Sequence, residues 1–334
     1  MTSIGSPFMW LLFVLVVVVA LFIDFTTMHK QGPHRVSMRE AGFWSLAWIL
    51  SSFVFAGWLW WYLGGTGPDA EAQYIARDKM LEFLTGYGIE KALAVDNVFV
   101  FLMVFTYFGV PPEFQKRVLM IGILGALFLR GILILVGAWI IGQFHWVLYL
   151  FGAFLVYTGI RMWYAGARKP DLESNSTLKW LRRRMHISPD FDGEKFLTIE
   201  NGQRALTPLA LVILLIGVVD VLFAVDSIPA IFAITTDPFI VLTSNVFAVL
   251  GLRALYFLVV NMHERFHLLS YGLSFLLVFI GMKLLLMDII EIPVVISLLV
   301  TFSILIFAMV LSVYVPRKNT AHGSARVARS ELED

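Results

Sequence analysis

Two similar stretches, each inside a long apolar run, indicate the fold and the function of this chain. The first is Glu90-Lys91-Ala92-Leu93-Ala94-Val95-Asp96-Asn97-Val98-Phe99, and the second is Asp220-Val221-Leu222-Phe223-Ala224-Val225-Asp226-Ser227-Ile228-Pro229. Aligned without gaps, each has a carboxylate, then Ala-Val-Asp, then a small side chain that can form hydrogen bonds. A charged residue at the centre of a membrane helix costs about 2.5–3.5 kcal/mol on insertion scales and is therefore a candidate functional residue. Four such carboxylates in two matched copies predict a site.

The composition predicts a polytopic membrane protein. Of the 334 residues, 59% are hydrophobic and 15% are charged, whereas soluble domains are about 45–50% apolar and about 25% charged. The chain has no cysteine, which excludes disulfides, thiolate metal ligands and thiol redox chemistry within it. The net charge of +1 gives no sign of a nucleic-acid partner. We expect the lipid bilayer to surround the protein.

Nine apolar runs are long enough to cross a bilayer, which takes about 20 residues. They predict spans at 7–26, 43–63, 81–108, 117–142, 146–164, 206–233, 239–260, 268–287 and 293–315. The predicted fold class is therefore all-α, with one transmembrane domain over residues 1–315. The first run lacks the basic leader and the small-residue cleavage site of a signal peptide, so we interpret it as a retained span. Asp24, near its end, is either a boundary residue at the headgroups or a support for a polar path.

Positive residues in the loops predict the orientation. Lys and Arg are concentrated in the odd-numbered loops and in the tail, so these segments are predicted to be cytoplasmic, with the N-terminus outside and the C-terminus inside. The largest loop, 165–205, contains Ser176–Arg184, which is either a short amphipathic helix on the inner leaflet or a solvated linker. The tail, 316–334, is predicted to be disordered.

Spans three to five (81–164) resemble spans six to eight (206–287). Besides the two motifs, Arg130 matches Arg253 and Gly159 matches Gly281, at similar separations along the chain. Because three spans separate the equivalent positions, the second copy crosses the membrane in the opposite sense. Inverted repeats are typical of secondary transporters, whose site lies near the midplane where the repeats meet.

The spacing within each motif limits how its carboxylates bind an ion. On an unbroken helix, residues six apart differ by about 120° in direction and lie ~9 Å apart along the axis. Glu90 and Asp96 therefore cannot bind one ion together, and the same holds for Asp220 and Asp226. Either the helices unwind locally, or Asp96 and Asp226 converge from the two repeats. We favour convergence with some unwinding, at Gly86 and Gly88 before the first motif and at Pro229 in the second.

Convergence predicts an oxygen-rich metal site. Positions seven apart share a helix face, so Asn97 lies on the same face as Glu90, and Ser227 lies on the same face as Asp220. The predicted ligands are Glu90, Asp96, Asn97, Asp220, Asp226 and Ser227. Hard oxygen ligands favour Mn²⁺, Ca²⁺ or Mg²⁺ over Cu⁺ or Zn²⁺. We expect the ion to be the cargo, and we expect no resident cofactor.

Cations also fall in the predicted spans. Arg161 and Lys283 lie near span ends, where their charged groups can reach the interface. Lys91, Arg130 and Arg253 are predicted to support the site by pairing with carboxylates. The alternative is a set of ion pairs that only clamps the bundle.

Both motifs resemble the two signatures of the TerC family, and the resemblance extends through Thr235–Phe239 and Gly251–Ala254 and covers nearly the whole chain. It is strongest with the Alx-like bacterial members, and it implies a place among the LysE-type exporters, to which the family belongs. It implies export of manganese from the cytoplasm across the bacterial inner membrane, with the six predicted ligands at the family's motif positions. This sequence departs from the family at Gly217 and Val219, where a Glu and a hydroxyl residue are common. The missing charge is expected to weaken a divalent site or to shift it towards Asp96 and Glu90.

Three functions are compatible with the sequence. The first is metal export, with protons as a possible exchange partner, because a buried carboxylate can hold either a proton or a cation. The second is export of an organic solute whose carboxylate meets Arg130 and Arg253. The third is a non-transport role in membrane assembly or tellurite stress. Enzymatic activity is not expected, because the chain has no nucleophile motif, His cluster or phosphate loop.

Overall fold

The computed structural model describes residues 3–31, 37–165, 188, 191–193, 195–200, 203–260, 268–290 and 292–315. Within them the chain is helical apart from one β-hairpin. The helices are α1 (Pro7–Gln31), α2 (Met38–Tyr62), α3 (Ala70–Tyr107), α4 (Pro112–Gln143), α5 (Val147–Ala165), α6 (Pro208–Phe232), α7 (Pro238–Val249), α8 (Leu252–Val260), α9 (Leu269–Leu285) and α10 (Val294–Tyr314). The strands are β1 (Leu197–Glu200) and β2 (Gln203–Leu206). The all-α membrane fold predicted from the sequence is confirmed.

Six of these helices are long and apolar enough to cross a membrane, and α7 with α8 counts as a seventh if the bent pair is one span. α3 is not among the six, because its apolar half includes Glu90, Lys91 and Asp96. α9 has 17 residues and is shorter than each of the six. Each of the nine predicted spans corresponds to a helix or to the α7–α8 pair, but the number that crosses the membrane stays a prediction.

Several helices begin before the apolar runs that predicted them. α3 begins at Ala70 rather than 81, because the Asp69 side chain accepts a hydrogen bond from the Glu71 N–H at 3.0 Å. Such N-cap bonds satisfy backbone donors that have no partner within the helix. Prolines at the first turn mark the starts of α4, α6 and α7, where their fixed φ and missing N–H are tolerated.

The predicted unwinding at the motifs is wrong, because α3 and α6 run through them without a break. A Cβ atom at Gly86 would lie 2.9 Å from Ser244 Oγ, and one at Gly88 would lie 2.9 Å from the Phe302 ring. These glycines therefore allow neighbouring helices to approach closely. Pro229 lies near the end of α6, which ends at Phe232. Proline cannot donate a backbone hydrogen bond, but only three helical residues follow it, so the helix stays unbroken.

The break occurs instead inside the predicted span 239–260, where α7 and α8 are bent by 43°. Gly251 has φ +82, a conformation that residues with a Cβ atom rarely adopt. A Cβ atom at Gly251 would also lie 2.6–2.8 Å from atoms of Trp48 on α2. The bend therefore depends on a glycine and on the indole that packs over it.

α5 and α9 pack against each other through small residues. A Cβ atom at Gly152 would lie 3.0 Å from the Gly281 carbonyl oxygen, and one at Gly159 would lie 2.8 Å from the Ser274 carbonyl oxygen. The Ser274 hydroxyl donates to the Gly159 carbonyl. The contacts run in opposite sequence order, so the two helices are antiparallel. An inverted repeat requires this of matched spans, although the repeat itself stays a prediction.

The largest predicted loop contains an element that the sequence reasoning missed. β1 and β2 form an antiparallel hairpin in which Leu197 pairs with Leu206 and Glu200 with Gln203. It leads directly into α6, so the sixth helix begins at Pro208 rather than 206. The predicted Ser176–Arg184 segment and the tail, 316–334, lie outside the described residues.

Candidate ion-binding site

The centre of the bundle contains a charged triad formed by α3, α4 and α6. Arg130 on α4 is 1% exposed, and its Nε and Nη2 donate to Asp220 Oδ2 and Oδ1, each at 3.0 Å. Its Nη1 donates to Glu90 Oε1. Both carboxylates are also fully buried. The structure therefore brings the first carboxylate of each motif to the same guanidinium.

The triad has more negative than positive groups. Two ionised carboxylates and one guanidinium leave a formal excess of one negative charge. Glu90 Oε2 is buried and has no hydrogen-bond partner in the described part of the chain. A buried charge without a partner is costly and is normally offset by a second charge, a proton or a metal ion. This oxygen is therefore the place where a proton or a cation can bind.

Asn97 and Ser227 lie on the same helix faces as Glu90 and Asp220, as predicted, and each is 2% exposed. Ser227 Oγ has no hydrogen-bond partner among the described residues. On unbroken helices, seven positions correspond to ~10 Å along the axis. Asn97 and Ser227 therefore lie about that far from the triad along their helices, and we do not expect them to share one coordination sphere with it.

The predicted convergence of Asp96 and Asp226 stays a prediction. Asp226 is half-buried and accepts a hydrogen bond from Thr158 Oγ1 on α5 at 3.4 Å. Asp96 lies on α3, but its side chain is outside what the structure describes. Among the described residues, no group of three or more His, Asp or Glu side chains is arranged to hold a metal ion.

The other predicted cations have different partners. Lys91 Nζ donates to the Ala248 carbonyl at 3.2 Å. Arg253 pairs with Asp24 and so joins α8 to α1. Asp24 therefore belongs to a charge pair, and its position at the membrane boundary stays a prediction. Near the span ends, Arg161 is exposed, and Lys283 Nζ donates to Ser297 Oγ at 2.9 Å.

A cavity of about 670 Å³ lies where the start of α3 meets the ends of α6 and α9. Its polar lining includes Lys79, Glu82, His145 and Lys283. Glu82 is 6% exposed, and both of its oxygens accept from Lys79 Nζ, at 2.9 and 2.8 Å. The loops that border this cavity are the even-numbered loops, which the charge distribution predicts to be external.

Sequence reasoning missed Glu82 and Asn245. Glu82 lies at the start of the predicted third span, and its local sequence does not mark it as functional. Asn245 on α7 is 0% exposed, and both polar atoms of its amide lack a hydrogen-bond partner within the described residues. The available signal was a single amide in the mostly apolar run 239–250, whose other polar residues are Thr243 and Ser244.

Comparison with known proteins identifies the family. The sequence model of the family described as "Integral membrane protein TerC family" matches residues 75–320. The chain is 48% identical over 315 residues to "Putative membrane-bound redox modulator Alx" of Escherichia coli K12, covering 94% of this chain and 97% of that protein. It is 42% identical over 303 residues to "Uncharacterized membrane protein STKORF319" of Myxococcus xanthus, covering 91% of each. No solved structure matches.

The matched region includes both acidic motifs, the triad that joins them and the α7–α8 bend. The apolar helices, the buried ion pairs and the bacterial relatives agree with a multi-pass integral membrane protein. The chain belongs to the TerC family of integral membrane proteins.

Proposed function

We propose that this protein exports a divalent metal cation, with Mn²⁺ as the best-fitting ion, from the cytoplasm across the bacterial inner membrane. The observation that carries the proposal is the buried triad, in which two carboxylates face one guanidinium. In it, Glu90 Oε2 has no hydrogen-bond partner in the part of the chain that the structure describes. A transporter needs such a position: it must attract a cation and must also release it.

The triad suggests how binding is coupled to conformational change. Arg130 holds one carboxylate from each predicted repeat. A cation that binds Glu90 competes with Arg130 for that carboxylate. It therefore weakens the ion pairs through which Arg130 connects α3 and α6. When the cation leaves, the guanidinium or a proton takes its place. In the case where a proton takes its place, the protein exchanges a metal ion for protons.

The chemistry of the ligands sets the class of ion. The six predicted ligands present carboxylate, amide and hydroxyl oxygens, which suit Mn²⁺, Mg²⁺ and Ca²⁺. Gly217 lacks the extra carboxylate expected one turn before Asp220, which favours weak binding and easy release. In this proposal, the cavity lined by Glu82 and Lys79 is the vestibule through which the ion departs.

The printed name of the Alx relatives, a membrane-bound redox modulator, is compatible with this proposal. The chain has no cysteine, so it has no thiol of its own with which to change redox state. Export of a redox-active metal would alter the redox balance of the cell indirectly. Export of an organic acid is less favoured, because Arg130 already binds two carboxylates and Arg253 binds one.

Metal flux into liposomes tests the proposal. The purified protein is reconstituted with a manganese-sensitive dye in the lumen, and Mn²⁺ is added with and without a pH gradient. Wild-type protein should carry Mn²⁺, and Glu90→Gln should not. Glu113→Gln is the matched control, because Glu113 is exposed at the start of α4. Absence of Mn²⁺, Mg²⁺ and Ca²⁺ flux in the wild-type protein would overturn the proposal.

A further inference from the structure

The apolar core around the triad consists of two clusters of buried residues. The first cluster includes Ile89, Ile134, Ala224 and Val241, and the second includes Ala94, Ile123, Ile216 and Val249. Four helices therefore pass from one cluster to the other. On each of them a fully buried polar residue lies between its two cluster members: Glu90 on α3, Arg130 on α4, Asp220 on α6 and Asn245 on α7. We call these four residues the polar layer.

Asn245 belongs to this layer by its position on α7. Val241, Asn245 and Val249 are spaced four apart and so lie on one helix face. Val241 packs in the first cluster and Val249 in the second. Asn245 therefore lies between the two clusters, at the level where the other three helices carry their charged side chains.

Contacts between α7 and α3 support the same placement. Gly86 approaches Ser244, since an added Cβ atom would lie 2.9 Å from its Oγ. Further along, Lys91 Nζ reaches the Ala248 carbonyl at 3.2 Å. Asn245 and Glu90 therefore both lie within the stretch over which these two helices run side by side.

Asn245 and Glu90 also share an unusual deficiency. Both residues are 0% exposed. Neither polar atom of the Asn245 amide has a hydrogen-bond partner within the described residues, and neither does Glu90 Oε2. Buried polar groups are almost always paired, and the exceptions call for an explanation such as an unseen ion.

We propose that Asn245 is a ligand of the transported cation and that its side-chain oxygen binds the ion together with the free oxygen of Glu90. This inference rests on the proposed function and adds a residue outside both acidic motifs. An amide oxygen and a carboxylate oxygen suit a hard divalent cation. An amide adds no charge, so it supports binding without making release difficult.

Binding and stability measured on the same purified, full-length variants test the role of Asn245. Asn245→Leu keeps the size of the side chain and removes the amide. If the amide is only an unpaired polar group, the change should raise the unfolding temperature and leave metal binding intact. If Asn245 is a ligand, the metal-free protein should again be as stable or more stable, but Mn²⁺ affinity should fall about 10-fold or more.

Two further variants complete the comparison. Thr243→Val is the matched control, because Thr243 is equally buried on α7 but its hydroxyl donates to the Phe239 carbonyl at 2.7 Å. This variant should bind Mn²⁺ like the wild type. Asn245→Asp keeps an oxygen ligand and should retain binding. If the leucine variant does not fold, Asn245→Ala takes its place, with the same loss of binding expected.

The outcomes distinguish the two proposals. If wild-type protein binds and carries Mn²⁺ and the Asn245→Leu protein binds it equally well, the role of Asn245 is overturned while the proposed function stands. If the wild-type protein neither binds nor carries Mn²⁺, Mg²⁺ or Ca²⁺, both are overturned. Loss of binding in Asn245→Leu together with normal binding in Thr243→Val supports the inference.

Discussion

Arg130 on α4 donates two hydrogen bonds to Asp220 on α6, each at 3.0 Å, although 90 residues separate them in the chain. The same guanidinium holds Glu90 on α3. Bidentate pairing of Arg with a carboxylate is both directional and strong. This contact makes the two acidic motifs one structural unit, and it accounts for an arginine in the middle of an apolar helix.

Removing the arginine is expected to destabilise the protein more than neutralising Glu90. Arg130→Leu leaves two buried carboxylates without their cation, and breaking a buried pair in this way costs about 3–5 kcal/mol. Glu90→Gln keeps the shape and leaves one carboxylate for one guanidinium, so its stability should stay close to that of the wild type. Thermal unfolding in detergent measures both. Exposed Arg161→Gln is the control, and an Arg130→Leu protein as stable as this control would contradict the prediction.

The second carboxylate of each motif is expected to be essential for transport. Asp96→Asn and Asp226→Asn should each abolish manganese export at normal protein levels, and the double variant should be no worse than either single one. Residues that act as a unit are non-additive in this way. Manganese flux in liposomes is the measurement, with Asp192→Asn as the control, because Asp192 is half-exposed and lies outside the helices. Near-normal flux in either single variant would remove that residue from the site.

The orientation can be tested without removing any native thiol, since the chain has no cysteine. Thr66→Cys places a thiol in the exposed loop before α3, and Glu113→Cys places one at the exposed start of α4. A membrane-impermeant maleimide added to intact cells should label the first and not the second, because the basic loops predict that α4 begins inside. Labelling of both positions, or of Glu113→Cys alone, would show that the predicted orientation is wrong.

A carboxylate at position 217 is expected to strengthen ion binding. Gly217 is half-buried on α6, one turn before Asp220, and an added Cβ atom would meet nothing within 4 Å. Gly217→Glu should therefore fit and raise Mn²⁺ affinity, because ligand charge tunes divalent sites over orders of magnitude. Maximal flux should stay the same or fall, since a tightly bound ion leaves slowly. Titration calorimetry against Gly217→Gln separates charge from size, and equal affinities would show that position 217 does not face the ion.

The α7–α8 bend is expected to depend on Gly251. Gly251→Ala must adopt a positive φ and also meet Trp48, which together should cost about 1–3 kcal/mol. Gly131→Ala is the matched control, because Gly131 lies inside α4 with open space around it, where alanine favours the helix by about 1 kcal/mol. A lower unfolding temperature for the first variant and an equal or higher one for the second are expected. Equal temperatures for Gly251→Ala and the wild type would contradict this account.

The sequence by itself determined the membrane class, the all-α fold and the approximate extent of each helix, because apolar periodicity and run length act over neighbouring residues. It also identified Glu90 and Asp220 as special, since a carboxylate in a long apolar run is visible without any partner. In the sequence, Gly251 stands out only as part of a family pattern. Its positive φ is not visible there, because it depends on how α2 packs beside it. The local sequence also predicts unwinding at Gly86. In the structure, Gly86 instead allows close contact between α3 and α7.

Only the tertiary structure decided which charges meet. Glu90 and Asp220 share Arg130, and Arg253 pairs with Asp24 across 229 positions of the chain. Asn245 is unremarkable in sequence and became a candidate ligand only when burial left its amide without a partner among the described residues. The physical reason is that a helix face is set by local spacing, whereas the neighbour of that face is set by the packing of the whole bundle.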